Sequence, residues 1–176
     1  MTPAAHEIIT ARLVLRPALP ADLGVLLAMR DATAAPDPTR ETRVQALLEH
    51  NAAQFAALGF GVWLVLASGR GVGFVGLRPR ATPAEPELYY GLAPGARGLG
   101  FATESGLAVI EWLFLAPAVT GVWAVTDPPN LASCRVLERL GMRLERECEF
   151  DGKPSRVYRL RRSHAHPPRA GPGAAD

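Results

Sequence analysis

The sequence predicts an α/β (α+β) fold, with six to seven strands and about four helices. Three observations carry this. Short runs that alternate apolar and polar recur from residue 11 to residue 160, several of them joined by glycine-containing turn signals. Stretches with apolar residues at helical spacing lie between them. At residues 87–102, ELYYGLAPGARGLGFA, a strand-like run breaks at Pro94, turns through three glycines and opens a helix.

Taken in order, residues 11–16, ARLVLR, put Leu13 and Leu15 on one face and Arg12, Val14 and Arg16 on the other, a first strand ended by Pro17. Pro20 opens a helix whose Leu23, Leu26, Leu27 and Arg30 follow the 3.6-residue period. In Asp37-Pro38 the aspartate is a cap and the proline a first helical residue. A second helix therefore runs to about Leu58, with Val44, Leu47, Leu48, Asn51, Phe55 and Leu58 as its inner stripe. Residues 60–67 and 72–77 form a hairpin across Ser68-Gly69-Arg70-Gly71. Its second strand holds Gly71-Val72-Gly73-Phe74-Val75-Gly76, a match to GxGxxG. Pro79 leaves no room for the helix that a dinucleotide fingerprint must open, so these glycines read as small residues in a strand lying close to a neighbour.

After the strand at 87–92, the helix from Gly100 to Leu115 is apolar nearly all round, with Glu104 and Glu111 on one face, and is expected to be mostly buried. Residues 119–126 are a strand, Asn130 caps a short helix, and Gly141 ends that helix. Ser133 shares its inner stripe with Val136, Leu137 and Leu140. Residues 142–150 and 155–160 form a last hairpin across Asp151-Gly152-Lys153-Pro154, whose edge could pair with a second copy. One domain, residues 1–160, is expected, with residues 161–176 a disordered tail.

The 176 residues are 48% apolar and 20% charged, enough for a single core. The net charge is +2 and eighteen of the nineteen cations are arginine, but no basic stripe interleaves with aromatics, which argues against nucleic-acid binding. Cys134 and Cys148 lack metal-ligand spacing and read as free thiols. His6, His50, His164 and His166 are scattered, so no metal site is expected. No export signal and no apolar run of about 18 residues is found, and a soluble cytoplasmic protein is expected.

The chemistry concentrates in the glycine turn. The amides of Gly98, Leu99, Gly100 and Phe101 converge at a helix N-terminus, an arrangement that holds phosphate without needing basic side chains. The glycines permit positive φ and the close approach of a ligand. These residues point to a pyrophosphate-bearing cofactor.

ARGLGFATE resembles the acyl-coenzyme A motif Q/R-x-x-G-x-G/A of the GNAT superfamily of N-acetyltransferases, with Arg97, Gly100 and Ala102 at its defined places. NLASCRVLERLGM resembles the same family's N-x-x-S-x-x-V-L-E-K-L-G-F block through Asn130, Ser133, Val136, Leu137, Glu138, Leu140 and Gly141. ELYYGLAP is similar to E-I-G-Y-x-L-x-P of the branch that acetylates the N-terminal alanine of ribosomal proteins.

The resemblance implies a mixed, mostly antiparallel sheet splayed at its centre and an acetyl group passed directly from acetyl-coenzyme A to a primary amine, without a metal. It implies that the pantetheine arm lies along Tyr90, Gly91 and Leu92. The pyrophosphate then rests on Arg97, Gly98, Leu99, Gly100, Phe101, Ala102 and Thr103, with Asn130 and Ser133 also touching the arm. Glu87 matches the proton acceptor, acting through water, although it also reads as a solvated residue opening a strand. Ser133 matches the serine beside the sulfur, whose hydroxyl protonates the departing thiolate directly or through water, although a serine in a first helical turn often bonds locally to backbone. The oxyanion donor is expected to be a backbone N–H near Leu92.

The acceptor is expected to be a protein N-terminal amine. A small amine such as an aminoglycoside or polyamine, and a non-catalytic acyl-coenzyme A binding module, are the alternatives. Gly95-Ala96, Gly91 and Met142 depart from bulkier family residues and are expected to loosen the acceptor side.

Overall fold

The computed structural model of the chain describes residues 6–29, 39–80, 84–150 and 152–164. Its elements are β1 (Ile8–Ile9), β2 (Leu13–Pro17), α1 (Leu23–Ala28), α2 (Arg40–Leu58), β3 (Val62–Ala67), β4 (Arg70–Arg78), β5 (Glu87–Leu92), α3 (Phe101–Leu113), β6 (Gly121–Thr126), α4 (Leu131–Arg139), β7 (Arg143–Phe150) and β8 (Lys153–Arg161). The strands form one eight-stranded sheet in the order β1-β2-β3-β4-β5-β6-β8-β7. All neighbours are antiparallel except β5 and β6, which run parallel. The strand beyond the expected seven is β1, whose two residues pair with Val14 and Leu15.

Strand β3 reads VWLVLA, apolar without alternation, because both faces of the sheet are covered there. Trp63 and Val65 join the core that includes Val109, Ile110 and Leu113 of α3 and Leu137 of α4. Val62 and Leu64 face the other way, toward Leu26 of α1 and Leu48 of α2. The helices thus divide between the two faces, although Phe55, late in α2, reaches the Trp63 ring at 4.8 Å. Asn51, polar within the expected inner stripe of α2, donates to the carbonyls of Ala18 and Val62 and accepts from the Val62 amide, so its burial costs no unpaired group.

Ser68 and Gly69, at φ +48° and +75°, make the tight turn between β3 and β4. The GxGxxG stretch is strand, as its glycine spacing and Pro79 require. A Cβ on Gly73 would stand 2.6 Å from the Gly91 carbonyl oxygen of β5. The last hairpin turns earlier than expected: Lys153 and Pro154 already belong to β8, opposite Phe150 and Glu149. The chain is also ordered past the expected boundary. Arg161 ends β8, and the Arg162 guanidinium donates to the carbonyls of Val119, Phe114 and Ala116 while stacking on the Phe114 ring. The expected Asp37-Pro38 cap and the tail from residue 165 lie outside the described residues.

Candidate active site

Strands β5 and β6 share a single register pair, Glu87 with Trp123, at the start of β5. Beyond it, β5 pairs through Leu92 with β4 alone. The parity of that ladder decides which backbone groups remain. The Ala93 amide donates to the Val72 carbonyl, so Ala93, Gly91 and Tyr89 exchange bonds with β4. The N–H and C=O groups of Tyr90 and Leu92 therefore point the other way, into the gap toward β6. The gap is a cleft of about 230 Å³ lined by Tyr89, Tyr90, Val125, Asp127, Asn130 and Ser133, among others.

The loop after β5 leads into α3. A short turn at Pro94–Ala96 is followed by Gly98 and Gly100 at φ +77° and +81°, and α3 begins at Phe101. The amides of residues 98–103 meet no acceptor among the described residues, while the dipole of the 13-residue helix α3 favours an anion in front of them. The Arg97 amide does not belong to this set, because it donates to the Pro94 carbonyl. Its side chain lies toward β5, with Nε 3.4 Å from the Leu92 carbonyl oxygen.

Sequence reasoning missed a second cation at this loop. Arg12 Nη1 donates to the Leu99 carbonyl at 3.0 Å, and its Nε holds Glu104 at 2.7 Å. Burial alone would raise the Glu104 carboxyl, but hydrogen bonds from Thr10 and Arg12 outweigh it and hold the group below the usual range. Nothing in the strand pattern of ARLVLR marks Arg12 for this contact.

At the other end of the site, Asn130 Oδ1 accepts from the Ser133 amide at 3.1 Å, the expected cap of α4. This cap turns the half-buried Ser133 toward the cleft beside Tyr90. Burial raises the Tyr90 hydroxyl above its ordinary pKa, and the neighbouring Ser133 hydroxyl offsets part of that. The two groups are close without being aligned as a hydrogen bond, since Tyr90 Oη has no partner among the described residues.

Glu87 lies apart from these groups. It is 2% exposed, and both its oxygens are engaged: Oε1 by Arg78 Nη2 at 2.6 Å, Oε2 by Arg78 Nε at 3.0 Å and by Arg80 Nε at 2.6 Å. The two guanidiniums are themselves seated on aromatic faces, Arg78 on Tyr89 and Arg80 on Phe150 and Trp123. The solvated carboxylate that a strand start allows is thus replaced by a buried one.

Two of the departures from family residues do not loosen the acceptor side. A Cβ on Gly91 would stand 2.6 Å from Phe74 Cε1, so the space is already filled from β4, and Met142 is buried in the core. Among the described residues no group of three or more His, Cys, Asp or Glu could hold a metal, and no helix is long and apolar enough to cross a membrane.

The model of the acetyltransferase (GNAT) domain matches residues 12–143. A solved chain from Bordetella pertussis, assigned to the GNAT-family acetyltransferases, is 27% identical over 87% of this chain and 98% of its own, with a TM-score of 0.74. RimL, the ribosomal L7/L12 alpha-N-protein acetyltransferase, solved with coenzyme A, is 16% identical over 88% and 97% of the two chains at a TM-score of 0.74. The aminoglycoside acetyltransferase AAC(6')-Ib, also solved with coenzyme A, is 20% identical over 86% and 96% at 0.69. The last two share the fold. With its parted parallel strands, its unpaired amides and a family match over residues 12–143, the chain belongs to the GNAT family of acetyltransferases.

Proposed function

We propose that this acetyltransferase takes its acetyl group from acetyl-coenzyme A and passes it directly to a primary amine, most closely a protein N-terminal amine. The observation that carries the reading is the set of unpaired amides at residues 98–103 beside the parted strands β5 and β6. A diphosphate fits these donors, which otherwise lack acceptors. The outward backbone groups of Tyr90 and Leu92 suit an extended amide-bearing arm, which would bond to β5 as an added strand does. Arg97 and Arg12 lie beside the loop as charge-assisted partners. The bound thioester supplies an activated acyl carbon; the chain supplies its orientation and the proton transfers.

Within this reading Asn130 and Ser133 hold the arm near its sulfur, the Ser133 hydroxyl is assigned by family resemblance as the proton donor to the departing thiolate, and the Leu92 amide is the donor for the acyl oxygen. Glu87 is assigned as the proton acceptor by family resemblance, acting through water. Both of its oxygens are engaged by Arg78 and Arg80, so the assignment needs a direct test. The Glu87→Gln variant keeps shape while removing charge. Lost turnover with coenzyme A affinity retained supports the acceptor role. Retained turnover with a lowered melting temperature assigns Glu87 to holding Arg78 and Arg80. The acceptor class is tested by thiol release from acetyl-coenzyme A across peptides with free amino termini, aminoglycosides and polyamines. Failure of the intact protein to take up coenzyme A in calorimetry overturns the whole reading.

The proposal requires neither a metal nor a second copy. The expected pairing edge, β7, carries Arg143, Glu145, Arg146, Glu147 and Glu149, and a row of charges of this kind discourages strand addition. A cytoplasmic setting, where acetyl-coenzyme A is available, belongs to the same proposal.

A further inference from the structure

The two edges of the sheet are finished differently. β7 carries a charge at most of its positions, whereas β1 is apolar and its outer side meets no other strand among the described residues. Thr10 donates its amide to the Leu13 carbonyl, and the pairs Ile8 with Leu15 and Ile9 with Val14 continue that register. Ile8 and Thr10 therefore bond toward β2, and the Ile9 N–H and C=O point outward from the edge.

β1 and α3 run side by side in opposite directions. Thr10 Oγ1 donates to Glu104 near the start of α3, and the His6 ring lies 5.9 Å from that of Trp112 near its end. Between them runs an open groove of about 490 Å³, lined by residues 8–11 and, from the helix side, by Leu107, Glu111 and Leu115 among others. Leu107 and Leu115 are 39% and 70% exposed. Glu111 is exposed between them, so the three follow at four-residue steps along α3 and the turn that ends it. Arg12 holds Glu104, but the Glu111 carboxylate has no ion-pair partner among the described residues. Four helical residues rise about 6 Å, and alternate residues of an extended strand lie about 6.6 Å apart. A strand laid along β1 thus brings every second side chain opposite Leu107, Glu111 and Leu115 in turn.

We propose that this groove docks an extended polypeptide segment of the pattern apolar-x-basic-x-apolar, which adds to the sheet beyond β1. Its backbone bonds to the Ile9 N–H and C=O, its two apolar side chains cover Leu107 and Leu115, and its cation meets Glu111. Charge selects this occupant over a second copy of the chain. Within residues 8–12 the copy's own edge brings a single cation, Arg12, already engaged by Glu104 and the Leu99 carbonyl. The groove shares no lining residue with the cleft between β5 and β6, so docking leaves that cleft open.

The probe is the capped peptide acetyl-Leu-Thr-Arg-Thr-Leu-Thr-amide, which has no amine to be acetylated. With the full chain, calorimetry shows saturable one-to-one binding, and amide NMR shifts fall at residues 8–11 and 107–115 rather than at 98–103. Glu111→Arg weakens binding about tenfold or more, while its melting temperature stays with the parent's because the residue is exposed and unpaired. The peptide with glutamate in place of arginine reverses the order and binds Glu111→Arg better than the parent. A peptide N-methylated at every residue, which cannot pair as a strand, does not bind. Absence of saturable binding to the parent, equal binding by Glu111→Arg, or shifts confined to the cleft and residues 98–103 overturns the proposal. So does a parent that is dimeric in light scattering and monomeric as Ile9→Lys, which gives the edge to a second copy. Coenzyme A uptake is measured separately on the same samples, so failure of the acetyl-coenzyme A reading leaves this result standing.

Discussion

Arg12 and Glu104 stand ninety-two positions apart and meet in a grip that fastens the start of α3 to the end of the sheet. Arg12 Nε and Nη2 lie 2.7 and 2.6 Å from Glu104 Oε2, and the Arg12 amide donates to Oε1 at 3.0 Å. The same guanidinium donates to the Leu99 carbonyl. In a trans peptide the carbonyl and the next N–H point in opposite directions, so holding the Leu99 oxygen aims the Gly100 N–H away from Arg12. Glu104→Gln therefore loosens the loop rather than removing a ligand. Because Arg12 is half exposed, the pair is worth about 1 kcal/mol. We expect coenzyme A affinity to fall about fivefold and the melting temperature by a few degrees. Unchanged affinity in calorimetry would show that the loop keeps its shape without this grip.

The two positive-φ glycines of the loop separate backbone strain from crowding. At Gly98 a Cβ meets nothing within 4 Å, so Gly98→Ala carries only the left-handed backbone cost of about 1 kcal/mol. At Gly100 a Cβ also stands 3.3 Å from Arg12 Nη2. Both alanine variants should melt lower than the parent, and Gly100→Ala should lose more coenzyme A affinity than Gly98→Ala. Gly95→Ala, which has neither a positive φ nor a close neighbour, should match the parent. A reversed order of the two affinities would contradict the assignment of Arg12.

These contrasts mark what a single sequence discloses. The glycine loop was legible because its conformation is set locally: positive φ at Gly98 and Gly100 needs glycine whatever lies across from it. The Asn130 cap was legible for the same reason, since its partner, the Ser133 amide, is three residues away. Strand β1 was not, because two residues give no period. Nor were the partners of Glu87 and Glu104. Arg78, Arg80 and Arg12 come from other strands and loops, and nothing local says which of eighteen arginines meets which carboxylate. The burial of Glu87 and the unpaired Tyr90 hydroxyl depend on the sheet register, which exists only once the strands are paired.

Gly91 supplies a test of how β4 shapes the site. Phe74 fills the place where a side chain would go, at 2.6 Å from an ideal Cβ. Gly91→Ala should displace that ring, disturb the β4–β5 pairing and weaken coenzyme A binding. Adding Phe74→Ala should recover part of the loss, giving a favourable coupling in a double-mutant cycle. Additive losses in the double variant would mean that Gly91 is required for some reason other than the ring.

Asp22 gives the fold an acid-sensitive joint remote from the cleft. Only 6% exposed, it accepts from Arg16 Nη1 and Nη2 at 2.8 and 2.7 Å and from the Leu19 amide at 2.8 Å, tying the end of β2 to the entry of α1. The Arg16 hydrogen bonds, opposed by burial, hold its carboxyl below the ordinary value of 3.8. A folded pKa below the unfolded one means that the unfolded chain binds the proton first. The contribution to stability is therefore complete well above pH 3.8 and is lost as the pH falls through the folded value. Glu85 and Glu104, depressed in the same direction, add to the same acid limb. Asp22→Asn should melt below the parent at pH 7, and the gap should narrow as the pH drops below about 4, because the parent is then losing what the variant never had. Parallel melting curves from pH 7 to pH 3 would mean that Asp22 carries no proton linkage and that the acid limb belongs to the two glutamates.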